Sequence, residues 1–430
     1  MGGTVIPLGG YQNRIVDTEL DELLTSLAAV SLEGPKGVGK TSTAERRGGS
    51  LIKLDDPAIY EIVRAQPDRM IVGTSPIVID EWQRYPASWD LVRRAVDEDN
   101  SPGRFILTGS ATPTERPTHS GAGRIVPLRM RPLTLVERGV ENPTVSMAAL
   151  LTGAKEPLDG TTAVTAVDYT TEILVGGFPG MRYPSARAQR AALDGYLERI
   201  IDTDLPELGM EVRNPGTLRR WVRAYAAATS STTSYEKIRD AATSGEHDKP
   251  AKTTTIPYRD ALERLWILDS VPAWTETLNH LSRLTASPKH HLADPALAAR
   301  LVGVDAQGLL RGQGPTRIHR DGTFLGALFE SLATLSVRVF SQAGEANVAH
   351  FRTRGGDHEV DLLAVRDDQR VVAIEVKLSQ TIDDADVKHL SWLRSKLGDD
   401  LLDAIVVTTG PQAYRRPDGI GVVPLALLGP

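Results

Sequence analysis

The sequence predicts an α/β chain of several domains that opens on a parallel sheet. Three observations carry that prediction. A glycine-rich turn at residues 31–43 lies between a strand pattern and a helix pattern. Two further strand patterns flank a helix pattern between residues 77 and 112. After residue 322 the order is helix, three strands, helix, strand. At 430 residues the chain has room for two or three domains, each able to bury its own core.

The first element is the stretch SLEGPKGVGKTST, Ser31 to Thr43. Gly34, Gly39, Lys40 and Thr41 fit the pattern G-x-x-x-x-G-K-[ST] without mismatch. Such a loop turns backbone N–H groups inward to cradle phosphates, so the expected cradle is Gly34, Pro35, Lys36, Gly37, Val38, Gly39, Lys40, Thr41 and Ser42. Lys40 would reach the β- and γ-phosphates of ATP, and the Thr41 hydroxyl would sit on Mg²⁺. LAAVSLEG before the loop reads as a short buried strand. KTSTAERR after it opens a helix whose N-terminus favours an anion.

The next strand, Ile77-Val78-Ile79, is a β-branched run expected of a parallel strand buried on both faces, and it ends in Asp80-Glu81. Placed some 40 residues after the glycine-rich loop, this acidic pair has the Walker B layout. Asp80 would hold Mg²⁺ directly or through water, and Glu81 would orient and deprotonate the attacking water. PASWDLVRRAVDED supplies a helix, and RFILTGSAT the next strand, whose polar end offers Thr108 and Ser110 at the carboxyl edge of the sheet. Either hydroxyl could sense the γ-phosphate, with Thr108 placed in the nucleotide site here; the competing reading is that both are turn residues ending a strand.

Composition narrows the classes. With 24% charged and 41% hydrophobic residues the chain is expected to be globular rather than disordered. The absence of cysteine excludes disulfides and thiolate zinc sites. The opening MGGTVIPLGGYQNR lacks a signal-peptide layout, GGTVI lacks the Ser or Thr of a myristoylation site, and no run of apolar residues reads as a membrane span; the expectation is a cytoplasmic protein without a membrane partner. The net charge of −6 argues against indiscriminate polyanion binding, yet residues 211–320 carry 16 Lys and Arg against 11 Asp and Glu, while both flanks are acidic. If a part of the chain touches DNA, it is the middle.

The glycine-rich loop, VIDEWQ, FILTGSA, GAGR, PLRMRPLTLVE and ILVGGFPG occur in this order. In that combination the chain resembles a prokaryotic family of AAA-type ATPases whose members carry a C-terminal domain long catalogued as of unknown function. The resemblance implies a P-loop, AAA-like parallel-sheet ATPase domain over residues 1–145 and a helical lid or linker over 146–210. It further implies a winged-helix-like segment over 211–300 and an α/β domain related to PD-(D/E)xK nucleases over 301–430. Arg124 matches the arginine of the family's AGR stretch and could neutralise transition-state charge in a neighbouring subunit's site, which implies a homo-oligomer. Arg116, Arg129 and Arg131 compete for that role. Where AAA proteins usually place an asparagine sensor, this chain has Thr108 and Ser110.

In the middle, ILVGGFPGMRYP reads as a helix end and a Gly-Pro turn, and AALDGYLERIIDTDLPELG as an amphipathic helix. TLRRWVRAYAAAT, SYEKIRDAAT and TIPYRDALERLWILDSVPAW give three helical patterns with a strand-like tail, the composition of a winged helix. Arg259 and Arg264 in the third would face DNA. The alternative is a bundle that only packs the flanking domains together.

In the last domain, GTFLGALFESLATLSVRVF is a helix carrying Glu330. NVAHFRTR, HEVDLLAV and VVAIEVKL are strands joined by tight turns, followed by the helix DADVKHLSWLRSKLG and the strand LLDAIVVTT. This α-βββ-α-β order is that of the PD-(D/E)xK core. Strand alternation places Glu375 and Lys377 on one face. Asp361 and Glu375 could bind Mg²⁺, with Mn²⁺ as a substitute and the Ala373 or Val376 carbonyl helping; Glu330 would add a ligand, and Lys377 would polarise the attacking water. His358 could face the same cleft, the competing reading being a solvated histidine beside a turn. Two functions follow: an ATP-hydrolysing enzyme acting on DNA with metal-dependent phosphodiester cleavage, or an ATP-driven switch whose nuclease fold is inactive and whose output is a protein partner or self-assembly. ATP-dependent loading of another protein is a third.

Overall fold

A computed structural model describes residues 10–110, 121–183, 185–210, 214–243, 250–274, 287–310, 322–353 and 355–430. After helix α1 (Ile15–Leu24) the first sheet is built from β1 (Ala29–Glu33), β2 (Ser50–Lys53), β3 (Ile77–Asp80), β4 (Phe105–Gly109) and β5 (Ile125–Arg129). Their order is β2-β3-β4-β1-β5, and every pairing is parallel. β3 and β4 are buried along their whole length, as their unbroken apolar runs require. β5 tolerates Pro127 because it lies at an edge and pairs only with β1. Helices α2 (Lys40–Glu45), α3 (Pro57–Ala65) and α4 (Ala87–Glu98) connect the strands. This order puts the loop after β1 beside the ends of β3 and β4.

β6 (Val145–Ser146) and α5 (Met147–Thr152) lead into the middle, where α6 (Ala166–Val175) is followed by α7 (Ala186–Arg199). Thr165 caps α6 through a reciprocal pair with Asp168, and Ser185 caps α7. α7 runs through a π-type turn, Ile200–Asp204, into the short α8 (Leu205–Glu207). α9 (Pro215–Ala227), α10 (Tyr235–Ala241) and α11 (Lys252–Arg264) come next. Two extended segments then pair antiparallel through Leu268 with Leu292 and Val271 with Lys289. α12 (Pro295–Val302) and α13 (Ala306–Leu310) complete this region, α12 packing on α9.

The last sheet has seven strands in the order β12-β13-β11-β10-β9-β8-β7. β8 (Asn347–Arg352), β9 (Glu359–Val365) and β10 (Val371–Lys377) form an antiparallel meander; β11 (Leu401–Thr408) and β13 (Gly421–Pro424) extend it in parallel, and β12 (Tyr414–Arg415) closes one edge. The opposite edge is β7 (Ala273–Trp274), a piece of the middle segment. β14 (Leu428–Gly429) returns to pair with β6. Helix α14 (Gly322–Ala343) is long and apolar enough over Phe324–Ala343 to cross a membrane, and 67% of that stretch is buried inside the fold. Its apolarity matches that position, against β8, β9, β10, α5, α6 and α12, while α15 (Lys388–Leu397) packs on β9, β10 and β11. One continuous apolar core joins α6, α9 and α12 to α14, β10 and β11. The middle and the last sheet are therefore not separable along the chain.

Candidate active site and acidic cleft

The loop after β1 has the backbone its sequence demands. Gly37 and Gly39 hold φ of 78° and 104°, and a Cβ at Gly34 would lie 2.2 Å from the Met130 carbonyl oxygen on the chain leaving β5. The Lys40 ammonium folds back on this loop, donating to the carbonyls of Gly34 (2.8 Å) and Pro35 (3.0 Å). Burial pushes Lys40 down to about 8, against the pull of the Glu81 carboxylate. Arg14, itself buried, holds the loop from below: its guanidinium donates to the Val38 carbonyl at 2.8 Å and to Glu137 at 2.9 Å.

Thr41 donates its hydroxyl to Asp80 Oδ1 at 2.8 Å, and the Thr108 hydroxyl donates to the same oxygen. Asp80 and Thr108 are register partners on β3 and β4, which explains why these sequence-distant residues meet. A hydroxyl and a buried carboxylate in contact beside the phosphate loop are the hard oxygen donors Mg²⁺ needs, so Thr41 and Asp80 fit that ion. Glu81 sits in the left-handed region at φ 55°, a strained backbone for a non-glycine residue. Its carboxylate is held by the Gln83 amide and by the Ser110 hydroxyl at 3.3 Å. Ser42 follows Thr41 within α2.

The middle covers this edge. Lys36 donates to Asp204 at 3.2 Å, and the Tyr196 hydroxyl donates to the Lys36 carbonyl at 3.0 Å. A cleft of about 550 Å³ between the sheet edge and the π-type turn is lined by Lys36, Glu81, Ser110, Tyr196, Asp204 and Ile267. Sequence reasoning did not single out Arg14, Gln83, Tyr196 or Asp204. The last two lie some 160 residues from Lys36 and carry no motif.

The arginines divide sharply. Arg124 pairs with Asp97 of α4 at 2.8 Å and is 48% exposed. Arg129 and Arg131 turn toward the middle instead. Arg131 donates to Asp269 at 3.0 Å, Arg129 lies 3.8 Å over the Trp266 ring, and Arg338 of α14 reaches Asp269 at 3.3 Å. These three guanidinium groups outweigh burial and hold the Asp269 carboxyl far below the carboxylate range. Arg116 lies outside the described residues. On α11, Arg259 pairs with Asp260 at 2.8 Å and Glu263 at 3.8 Å and lies over Tyr235.

The last sheet brings Asp361, Glu375, Lys377 and Glu359 around one cavity of about 440 Å³, together with Glu330 of α14 and Lys289 of the middle segment. Lys377 donates to Glu375 Oε1 at 2.8 Å, whereas Glu375 Oε2 is buried without a hydrogen-bond partner among the described residues. Asp361 Oδ2 accepts from the Val376 N–H at 2.9 Å. Lys289 stands between Glu330 and Asp361, donating to them at 2.8 and 2.9 Å. Burial and the Asp361 charge push Glu330 and Glu375 up to about 8. Burial alone would raise Asp361 too, but the Lys289 ammonium and the Val376 N–H outweigh it and hold it low. Among the described residues no three acidic or histidine side chains are arranged to hold a metal ion. The Lys289 ammonium takes the place between the Glu330 and Asp361 carboxyl groups. His358 stacks on Trp392 at 4.0 Å and meets His389 at the rim.

Residues 27–138 match the family described as "AAA domain". This region is an AAA-type P-loop ATPase domain. Residues 167–308 and 325–428 match two families described as domains of unknown function, DUF8612 and DUF4143. The chain is 26% identical over 303 residues to the uncharacterized proteins Rv2008c of Mycobacterium tuberculosis and Mb2031c of Mycobacterium bovis; the match takes in 68% of this chain and spans 60% of their length. Among solved structures it is similar to the Walker-type ATPase PABY2304 of Pyrococcus abyssi (18% identity, 66% of this chain and 94% of that one, TM-score 0.37). It is also similar to the RuvB Holliday junction branch migration motor of Thermotoga maritima (17%, 60% and 89%, TM-score 0.26). Neither structural likeness is close enough to carry an argument about this chain.

Proposed function

We propose that this chain is a cytoplasmic ATP hydrolase that acts on DNA, with nucleotide turnover at Lys40, Thr41, Asp80 and Glu81 driving the middle region and the last sheet. The observation that carries the reading is the junction at Lys36. The phosphate loop is tied through Lys36 to Tyr196 and Asp204, so phosphates entering the loop compete directly with a contact that fixes the middle. On binding ATP, Lys40 exchanges two loop carbonyls for phosphate oxygens, a charge-assisted replacement. Bound Mg²⁺ would neutralise phosphate charge; Thr41 and Asp80 would hold it, and Thr108 would fix the Asp80 carboxylate. Glu81 takes the proton of the attacking water once Gln83 and Ser110 release its carboxylate. Arg124 completes the site of a neighbouring copy.

At the last sheet, Asp361 and Glu375, with Glu330 of α14, would hold Mg²⁺ or Mn²⁺ once the Lys289 ammonium leaves the space between Glu330 and Asp361, and Lys377 would orient the water that attacks a phosphodiester. The three helices and antiparallel pair of the middle serve as a winged helix that engages the duplex. The test is DNA cleavage by the full chain with ATP and Mg²⁺ or Mn²⁺. The wild type should cut, and Lys377→Ala should lose cleavage by about 100-fold or more while still binding DNA. Cleavage by Lys377→Ala at the wild-type rate would remove the phosphodiesterase assignment. A second reading, an ATP-driven switch with an inactive nuclease fold, is favoured by one observation: the Lys289 ammonium occupies the space between Glu330 and Asp361.

A further inference from the structure

The lysine in the acidic cleft comes from outside the helix and the sheet that supply the acids. Lys289 lies on the segment paired with Val271, and its side chain is 1% exposed. Its ammonium is 2.8 Å from Glu330, 2.9 Å from Asp361 and 3.7 Å from Glu359. A buried lysine is stable there because three carboxylates surround it, and each carboxylate is tolerable because the lysine is present. Lys377 is spent on Glu375 Oε1, and Glu375, which lines the same cavity, keeps its Oε2 buried without a hydrogen-bond partner among the described residues. Four acids, Glu330, Glu359, Asp361 and Glu375, line the cavity, and their oxygens are the hard donors a divalent cation takes.

The segment carrying Lys289 is also tied to the nucleotide loop. Lys289 and Val271 exchange both backbone hydrogen bonds at 2.9 Å. Two residues before Val271, Asp269 is gripped by Arg131 of the chain leaving β5, and Arg129 packs on Trp266 nearby. Between those arginines, the Met130 carbonyl is the atom pressed against Gly34 of the phosphate loop. The lysine thus hangs on a strand pair anchored beside the nucleotide and reaches into a cleft built by another sheet.

We infer that Lys289 is a displaceable internal cation: its ammonium and a divalent cation are alternative occupants of Glu330 and Asp361, and withdrawal of the strand pair that carries it opens the cleft to metal. This rests on the reading of that cleft as a metal site and adds its regulation. While the lysine occupies the cleft, the apparent metal affinity falls by the fraction of molecules in which it is withdrawn.

The experiment is Mn²⁺ binding to the full chain without nucleotide, followed by calorimetry, for wild type and Lys289→Gln. The glutamine variant should bind at least about tenfold more tightly, and adding Asp361→Asn should abolish the gain. Equal affinities in wild type and Lys289→Gln would overturn the displaceable cation while leaving the metal site standing. No binding to either protein at millimolar Mn²⁺ would instead sink the metal reading itself. Should Lys289→Gln fail to fold because its acids lose their partner, Lys289→Gln with Glu330→Gln removes one charge of each sign. It is compared with Glu330→Gln alone, with the same tightening expected and equality again overturning the idea.

Discussion

Lys40 ties the nucleotide chemistry to a measurable proton. Burial depresses its folded pKa from 10.5 to about 8, so its contribution to stability is unfavourable below that value and is relieved as the pH rises through the window between the two. Phosphate restores the charged form. ATP binding at about pH 9 should therefore take up close to one proton at this site, and binding at about pH 6.5 should take up none there; calorimetry in buffers of different ionisation enthalpy reads the difference. Lys40→Ala should abolish nucleotide binding. Glu81→Gln should bind ATP normally and slow turnover by about 100-fold or more, because it keeps the shape and removes the base. Lys40, Thr41, Asp80 and Glu81 were legible in the sequence because the loop and the strand end are local motifs. Arg14, Asp204 and Lys289 were not: an arginine before a helix, an aspartate in a helix and a lysine before two histidines have no local signature, and only the tertiary fold gives them partners.

Gly34 shows the same logic for an element. The loop passes the Met130 carbonyl so closely that a methyl group meets backbone, which cannot rotate away. Gly34→Ala should cost roughly 1–3 kcal/mol of stability by overpacking and weaken ATP binding, measured by denaturant unfolding and by nucleotide titration. For the middle, Arg259 already spends charge on Asp260 and Glu263. If α11 faces DNA, Arg259→Ala with Arg264→Ala should flatten the salt dependence of binding by at most about two in log–log slope, and an unchanged slope would mean that both arginines only pack or pair within the protein. The buried strands β3, β4 and β8–β11 could be read from sequence, since each is an apolar or alternating run between turn residues. β2 and β5 were missed because edge strands are short and half-exposed, and Pro127 argues against a strand. The pairing of 268–271 with 289–292 was invisible for another reason: two isolated bridges leave no periodicity.

At the scale of the whole molecule, chain order and structural units diverge. β7 and Lys289 belong by sequence to the middle and by contact to the last sheet. A fragment of residues 301–430 lacks both, leaving Glu330 and Asp361 buried without their cation, a loss worth about 3–5 kcal/mol. It should aggregate or melt well below a fragment that begins before β7, as scanning calorimetry would show. Exposed Arg124 on α4's flank predicts a between-subunit role: Arg124→Ala should bind ATP and hydrolyse it slowly, and mixing it with Lys40→Ala should partly restore turnover. A strict monomer by sedimentation in every nucleotide state would remove that role. The central claim is that ATP turnover and DNA engagement are one cycle, and by linkage each must then alter the other. The most direct measurement is steady-state ATP hydrolysis by the full chain in Mg²⁺, with and without linear and branched DNA, beside Glu81→Gln. The account predicts that DNA raises turnover several-fold and that Glu81→Gln is silent with or without it; turnover that no DNA changes, at salt low enough for binding, would contradict it.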